Sequence, residues 1–128
     1  MRQFAFALDL KDDPALIAQY EEWHRPDRIW PGVLTSLRSS GLKEVKIFRT
    51  GTRLFLLMEA PDDFSLQAKA ASDAVNPEVQ CWERLMWEYQ LPLPWAQPGQ
   101  KWVAMSPIFS LQQCPAPECP SFSSSITP

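Results

Sequence analysis

Tyr20 and His24 stand four residues apart in the stretch YEEWHRPDRIWP (residues 20–31), and His24 is the only histidine in the 128-residue chain. On a helix that spacing places both side chains on one face, one turn apart. A phenol beside an imidazole can hydrogen-bond a hydroxylated ligand, and the imidazole can move a proton near neutral pH. A histidine at a helix end also serves as a cap or a core residue, and spacing alone does not separate the two. Trp23 and Trp30 lie close by, part of an unusual complement of six tryptophans. The flat apolar face of an indole matches a patch of C–H groups on a sugar ring. Indoles fill cores as well, and at least three of the six are expected to do so.

These residues need elements to hold them. Phe4, Phe6, Leu8 and Leu10 alternate with Gln3, Ala5, Ala7 and Asp9, which predicts a half-buried strand over residues 3–10. Asp13-Pro14 reads as an N-cap followed by proline at the first helical position. Leu16, Ile17, Tyr20, Trp23 and His24 follow at helical spacing until Arg25-Pro26 interrupts the pattern. A second helical piece restarts near Trp30-Pro31, with Val33, Leu34 and Leu37 as its apolar stripe and Gly41 as its C-terminal cap. His24 therefore falls where one helix gives way to the next.

Residues 43–49 and 53–59 read as two strands joined by Thr50-Gly51-Thr52, a hairpin. The second is apolar on both faces from Leu54 to Met58 and belongs in the middle of a sheet. Pro61-Asp62-Asp63 opens the next helical region, and Asn76-Pro77 repeats the cap-plus-proline device. Val79, Trp82, Met86 and Tyr89 then recur at spacings of three and four, an amphipathic helix. PLPWAQPGQ is an irregular loop, whose prolines and Trp95 suggest a rigid segment closing over a cleft of its own or of a partner subunit. Trp102 to Phe109 is the last strand, weakened by Pro107 and so expected at an edge. The order β-α-β-β-α-β is ferredoxin-like: an α+β fold with helices on one face of an antiparallel sheet. The other face is apolar enough to predict a homodimer burying sheet against sheet, of the dimeric α/β barrel type. Residues 1–111 form this domain, and 112–128, Pro/Ser-rich and without periodicity, read as a flexible tail.

Composition narrows the function classes. Hydrophobic residues make up 45% and charged residues 21%, ordinary for a soluble globular domain. The net charge is −3, and no Lys/Arg cluster forms the stripe that phosphate neutralisation requires, which argues against nucleic acid. The N-terminal MRQFAFALDLKDD alternates as a strand does rather than as a signal peptide, and no apolar run is long enough to span a bilayer. Cys81 falls within the helical pattern and reads as a small buried hydrophobe. Cys114 and Cys119 lie in the tail, where reduced thiols and a cytoplasmic location are expected; a metal site there would lack histidines and a second ligand pair.

Three local motifs give the chain a family resemblance: Tyr20-x-x-x-His24 followed by Ile29-Trp30-Pro31, the entry from Gly41 to Phe48 into the second strand, and Val79-Gln80-Cys81-Trp82 running on to Met86. Together, over residues 3 to about 111, they resemble the L-rhamnose mutarotase family, small dimeric ferredoxin-like proteins that interconvert the α and β anomers of a free sugar. The resemblance implies His24 as the catalytic general acid, Tyr20 as a substrate contact and Trp82 as a wall of the sugar pocket. Val45 stands where the rhamnose enzymes carry a substrate-contacting tyrosine, and Glu83 where they carry a second tryptophan. Two extra residues fall within Arg25–Arg28. The pattern around Glu83, with MEAPDDF before it and LMWEYQ after it, looks closer to members assigned to L-fucose, another 6-deoxy sugar.

Mutarotation needs a proton delivered to the ring oxygen and one removed from the anomeric hydroxyl, with no cofactor or metal. A histidine of pKa about 6.5 serves either role, and a positioned proton transfer contributes about 10²–10⁴-fold. Glu83 or Glu59 is a candidate for the opposing base, as is a water or the sugar's own hydroxyl; solvated surface positions are the alternative for both carboxylates. Two other functions suit the same residues. One is a cofactor-independent monooxygenase acting on flat apolar substrates, because fold does not fix function. The other is a sugar-binding module without catalysis.

Overall fold

A computed structural model describes residues 1–116 of the chain. Four strands follow the order β2-β3-β1-β4, with a fifth also paired to β1. These are β1 (Arg2–Leu10), β2 (Glu44–Thr50), β3 (Arg53–Ala60), β4 (Gln90–Leu91) and β5 (Val103–Ala104), and every pairing is antiparallel. The helices are α1 (Pro14–Trp23), α2 (Pro31–Ser39), α3 (Leu66–Ala74) and α4 (Pro77–Trp87). This is the expected ferredoxin-like α+β arrangement, with each of its two helices broken into a pair at a proline.

The breaks follow local chemistry. Asp13 Oδ1 accepts from the backbone N–H groups of Ala15 and Leu16 at 2.9 and 3.3 Å, with Pro14 at the first helical position. Asn76 Oδ1 repeats this with Glu78 and Val79 at 3.1 and 3.3 Å. Trp30 has no such oxygen, and the start of α2 borrows one: Glu78 Oε2, from the first turn of α4, accepts from the Gly32 N–H at 2.9 Å. α3 starts at Leu66, capped by Ser65 Oγ, rather than at Pro61-Asp62-Asp63. Residues 61–64 instead form a turn, Phe64 N–H to Pro61 O at 3.0 Å, that drives Phe64 into the core beside Met58 and Ala60.

The strand register assigns the two sheet faces. Phe4, Phe6, Leu8 and Leu10 share the helix side with Met58, Leu56 and Leu54 of β3 and with Val45 and Ile47 of β2. Leu10, Tyr20, Val33, Leu54, Trp82, Met86 and Tyr89 form the main buried cluster there, joined by Trp23, Trp30 and Trp102. The opposite face carries Ala5, Ala7, Phe55, Leu57 and Phe48.

Three expectations are corrected. Cys81 is exposed, because the inward stripe of α4 is Val79, Trp82 and Met86, and residue 81 points well away from it at 100° per residue. The final strand pairs only at Val103–Ala104, plus one bond from Met105 N–H to Ala5 O, and Pro107 ends the ladder. The amphipathic helix read as far as Tyr89 stops at Trp87, and β4 follows, pairing Gln90 with Leu10 and Leu91 with Asp9 before the irregular loop starts at Pro92. The edge beside β1 is thus shared by two short strands and the loop between them. Of the stretch read as a tail, residues 117–128 lie outside the described residues, and Leu111–Gln113 form one 3₁₀ turn.

Candidate functional site

A cleft of about 540 Å³ opens between the helix side of the sheet and the helices. Its volume suits a small ligand. Tyr20, His24, Trp82, Glu83 and Val45 all line it. Glu59 does not: Met58 lines the cleft, and the two-residue period of β3 sends its neighbour to the opposite face, opposite Gln3 and Glu44. Trp95 does not line the cleft either: its indole lies under the Arg53 guanidinium at 5.3 Å and is 61% exposed.

His24 is the C-cap of α1, where the helix has stopped but its geometry still controls the side chain. Its Nδ1 lies 2.7 Å from the carbonyl oxygen of Tyr20. A carbonyl only accepts, so this contact requires the proton on Nδ1 and leaves the Nε2 lone pair free. The imidazole packs 4.4 Å from the Tyr20 ring and edge-on to Trp82 at 5.5 Å, centroid to centroid. Trp82 is held in turn by Trp30 and Trp23 at 5.3 and 6.4 Å, and Trp23 is fixed by an indole N–H donated to the Tyr89 hydroxyl at 2.9 Å. Burial pushes the His24 pKa below its usual 6.5, against a smaller opposing effect of the Tyr20 carbonyl. The ring is therefore neutral at pH 7.

Tyr20 is buried, and its hydroxyl accepts from Gln90 Nε2 at 3.3 Å. Its pKa is pushed up to about 12, chiefly by burial and also by the negative charge of Glu83, while the Gln90 hydrogen bond acts the other way. Tyr20 thus keeps its proton at any cellular pH.

Lys101, from the loop before β5, reaches the far wall. Its ammonium lies 2.7 Å from Glu83 Oε2, donates to the Glu83 carbonyl at 3.0 Å, and sits 4.8 Å over the Trp87 ring. Burial lowers the lysine's pKa, and Glu83 opposes the shift. Held in place by Lys101, the Glu83 carboxylate presents hydrogen-bond acceptors to ligand hydroxyls, with the ammonium beside it as a donor. Lys101, Gln90 and Trp102 line the cleft without having been found in the sequence. Only the β4 pairing and the path of the 92–102 loop bring them there, and neither has a local pattern. Among the described residues, no cluster of three or more His, Cys, Asp or Glu side chains could hold a metal ion.

A neutral imidazole and a protonated phenol lie together in an aromatic cleft on a ferredoxin-like sheet, an arrangement suited to acid–base work on a small hydroxylated molecule. Residues 3–111 match the sequence profile of L-rhamnose mutarotase, and the chain belongs to that family. It is a sugar mutarotase, hence a carbohydrate isomerase. The chain is 50% identical over 113 residues to the L-fucose mutarotase of Xanthomonas campestris pv. campestris, covering 88% of this chain and 90% of that protein. The crystal structure of an L-rhamnose mutarotase from Formosa agariphila superposes with a TM-score of 0.64 at 21% identity, covering 87% of this chain and 99% of that one. Tetracenomycin F2 cyclase from Streptomyces glaucescens, a type-II polyketide cyclase, superposes at 0.58 with 17% identity, covering 90% and 100%. At such identities both structures show the fold alone. No described helix is long and apolar enough to cross a membrane.

Proposed function

We propose that this protein interconverts the α and β anomers of free L-fucose, with L-rhamnose as the closest alternative, through proton transfers centred on Tyr20 and His24. The observation that carries the reading is the His24 Nδ1 contact to the Tyr20 carbonyl at 2.7 Å, which leaves Nε2 unprotonated on a ring packed 4.4 Å from a phenol that keeps its proton. Identity of 50% to an L-fucose mutarotase supports the choice of sugar.

Nε2 takes the proton of the anomeric hydroxyl as the C1–O5 bond opens, while the Tyr20 O–H, hydrogen-bonded to O5, stabilises the charge developing there. The imidazolium then gives that proton to the O5 alkoxide, which becomes the hydroxyl of the open-chain sugar. The aldehyde turns about C1–C2, and the ring closes by the same steps in reverse on its other face. His24 acts first as base and then as acid in either direction, which accommodates the general-acid role implied for it, while Tyr20 keeps its proton throughout. Trp82 supplies the apolar wall. The Glu83–Lys101 pair accepts and donates to hydroxyls away from C1, and Val45 leaves room on the β2 side.

Saturation transfer by proton NMR tests this directly. Irradiating one anomeric proton of L-fucose should deplete the other quickly with the wild type and about 10²–10⁴-fold more slowly with His24→Ala. Exchange at the buffer rate with L-fucose, L-rhamnose and a panel of free aldoses would sink the reading.

Two further parts of the proposal concern setting. The protein works as a homodimer joined through the open sheet face, where Phe48 stacks on Phe55 while 52% exposed. It works in the cytoplasm, in keeping with the exposed free thiol of Cys81.

A further inference from the structure

Gln90 is 3% exposed, yet its Oε1 is a buried side-chain oxygen without a hydrogen-bond partner among the described residues. Leaving a buried acceptor unpaired costs about 1–3 kcal/mol, so such groups are normally found satisfied. The strand register explains why the side chain is there: opposite Leu10, Gln90 shares the helix side of the sheet and lines the same cleft as Tyr20 and His24. The Tyr20 hydroxyl accounts for the Nε2 end alone, and a buried Oε1 with no partner is a feature that stability alone does not explain.

We propose that Gln90 is a substrate-binding residue whose two amide ends act together: Nε2 holds the Tyr20 oxygen, and Oε1 accepts a hydroxyl of the bound sugar. The first half sets the direction of the tyrosine proton. Because the Tyr20 oxygen accepts from Nε2 at 3.3 Å, its own O–H is free to donate into the cleft. The second half supplies the missing partner, which must be a donor, as a sugar hydroxyl is and the C–H face of a ring is not. Exchanging the amide's oxygen and nitrogen would make the tyrosine donate to the amide, away from the cleft, and leave an N–H for the sugar; the assigned orientation is the one that frees the phenol proton for O5. Either way one polar end of Gln90 is completed only by a ligand. The Gln90 assignment rests on the mutarotase reading, and the tests below separate the two.

Two properties are measured on Gln90→Met, which keeps the length and volume and removes both polar ends. The melting temperature without sugar should stay near the wild-type value, because removing the unpaired acceptor offsets the lost hydrogen bond to the Tyr20 hydroxyl. The KM for L-fucose should rise about tenfold or more, the loss expected when a hydrogen bond of this kind is removed. The sugar-induced rise in melting temperature should shrink in parallel. A near-isosteric Gln90→Glu guards against a repacked core: its carboxylate accepts the Tyr20 O–H, turns that proton away from the cleft, and should weaken sugar binding more at pH 8 than at pH 5. A Gln90→Met protein that melts lower but binds L-fucose as the wild type does would overturn the proposal and leave a purely structural glutamine. So would a Gln90→Glu protein with wild-type affinity at both pH values. A wild type that is stabilised by L-fucose but does not exchange its anomers would instead refute the mutarotase reading, with Gln90 still judged by the binding shift.

Discussion

At the scale of single residues, the site depends on an imidazole kept neutral. Burial lowers the His24 pKa below 6.5, so in the acid range the unfolded chain binds a proton before the folded one does. The consequence for stability has a definite sign: the contribution of His24 is fully present above about pH 6.5 and declines as the pH falls from there towards the lowered folded value. Urea titrations at pH 7.5, 6.5 and 5.5 should show that decline, and His24→Gln should remove the part due to this group. Activity should fall to half only at a pH below 6.5, because Nε2 stays unprotonated to lower pH than in a free imidazole; a rate already halved at pH 6.5 would contradict the neutral-base assignment. Tyr20 and His24 were legible because both lie on one helix, where four residues of spacing fix a shared face. Glu59 was misplaced by a single pleat. Gln90 and Lys101 were invisible because their neighbours in the cleft are distant in sequence: Tyr20 Oη lies across 70 residues from Gln90, and Glu83 is 18 residues from Lys101.

At the scale of elements, most of the architecture was written in short signals. The cap-plus-proline pairs at Asp13-Pro14 and Asn76-Pro77, the hairpin at Gly51 with φ +55°, and Gly41 with φ +91° after α2 stand where the sequence put them. What local signals lack is the long-range part: the division of the last edge between β4 and β5, and the capping of α2 by Glu78 across 46 residues. That cap makes a specific prediction. A Cβ on Gly32 would collide with the Glu78 carboxylate, the flexible end of its side chain, so Gly32→Ala should displace the carboxylate rather than the backbone. Losing a cap costs about 0.5–2 kcal/mol, whereas Gly to Ala within a helix gains about 0.5–1 kcal/mol, so the single substitution should be neutral to slightly destabilising. With Glu78→Ala already in place, the same Gly32→Ala should stabilise by about 0.5–1 kcal/mol, because nothing is left to displace. Urea midpoints of the four proteins measure the coupling, and strict additivity would mean that Glu78 does not cap α2.

At the scale of the whole molecule, the two sheet faces do different work. The helix side holds the main core and the cleft. The open side presents Ala5, Ala7, Phe55 and Leu57 half-buried around Phe48, and continues onto β5 through Val103, opposite Ala7. The hydrophobic alternation of β1 and β3 made this face readable, but the pairing it supports depends on a second copy that one sequence does not contain. The proposed homodimer gives Phe48 a second apolar neighbour across a two-fold axis, so each substitution acts twice. Burying a phenylalanine side chain is worth about 1.5–3 kcal/mol, and two copies together about 3–6 kcal/mol, or roughly 10²–10⁴-fold in the dimer dissociation constant. Phe48→Lys, which also brings like charges together, should convert the dimer to monomer in size-exclusion chromatography with light scattering, while the far-ultraviolet circular dichroism stays that of the wild type. Because Phe48 faces away from the cleft, anomer exchange should persist in the monomer. A Phe48→Lys protein that remains dimeric would move the interface elsewhere, and the exposed apolar run of Ile108 and Phe109, 97% and 73% accessible in the single chain, is then the surface to substitute next.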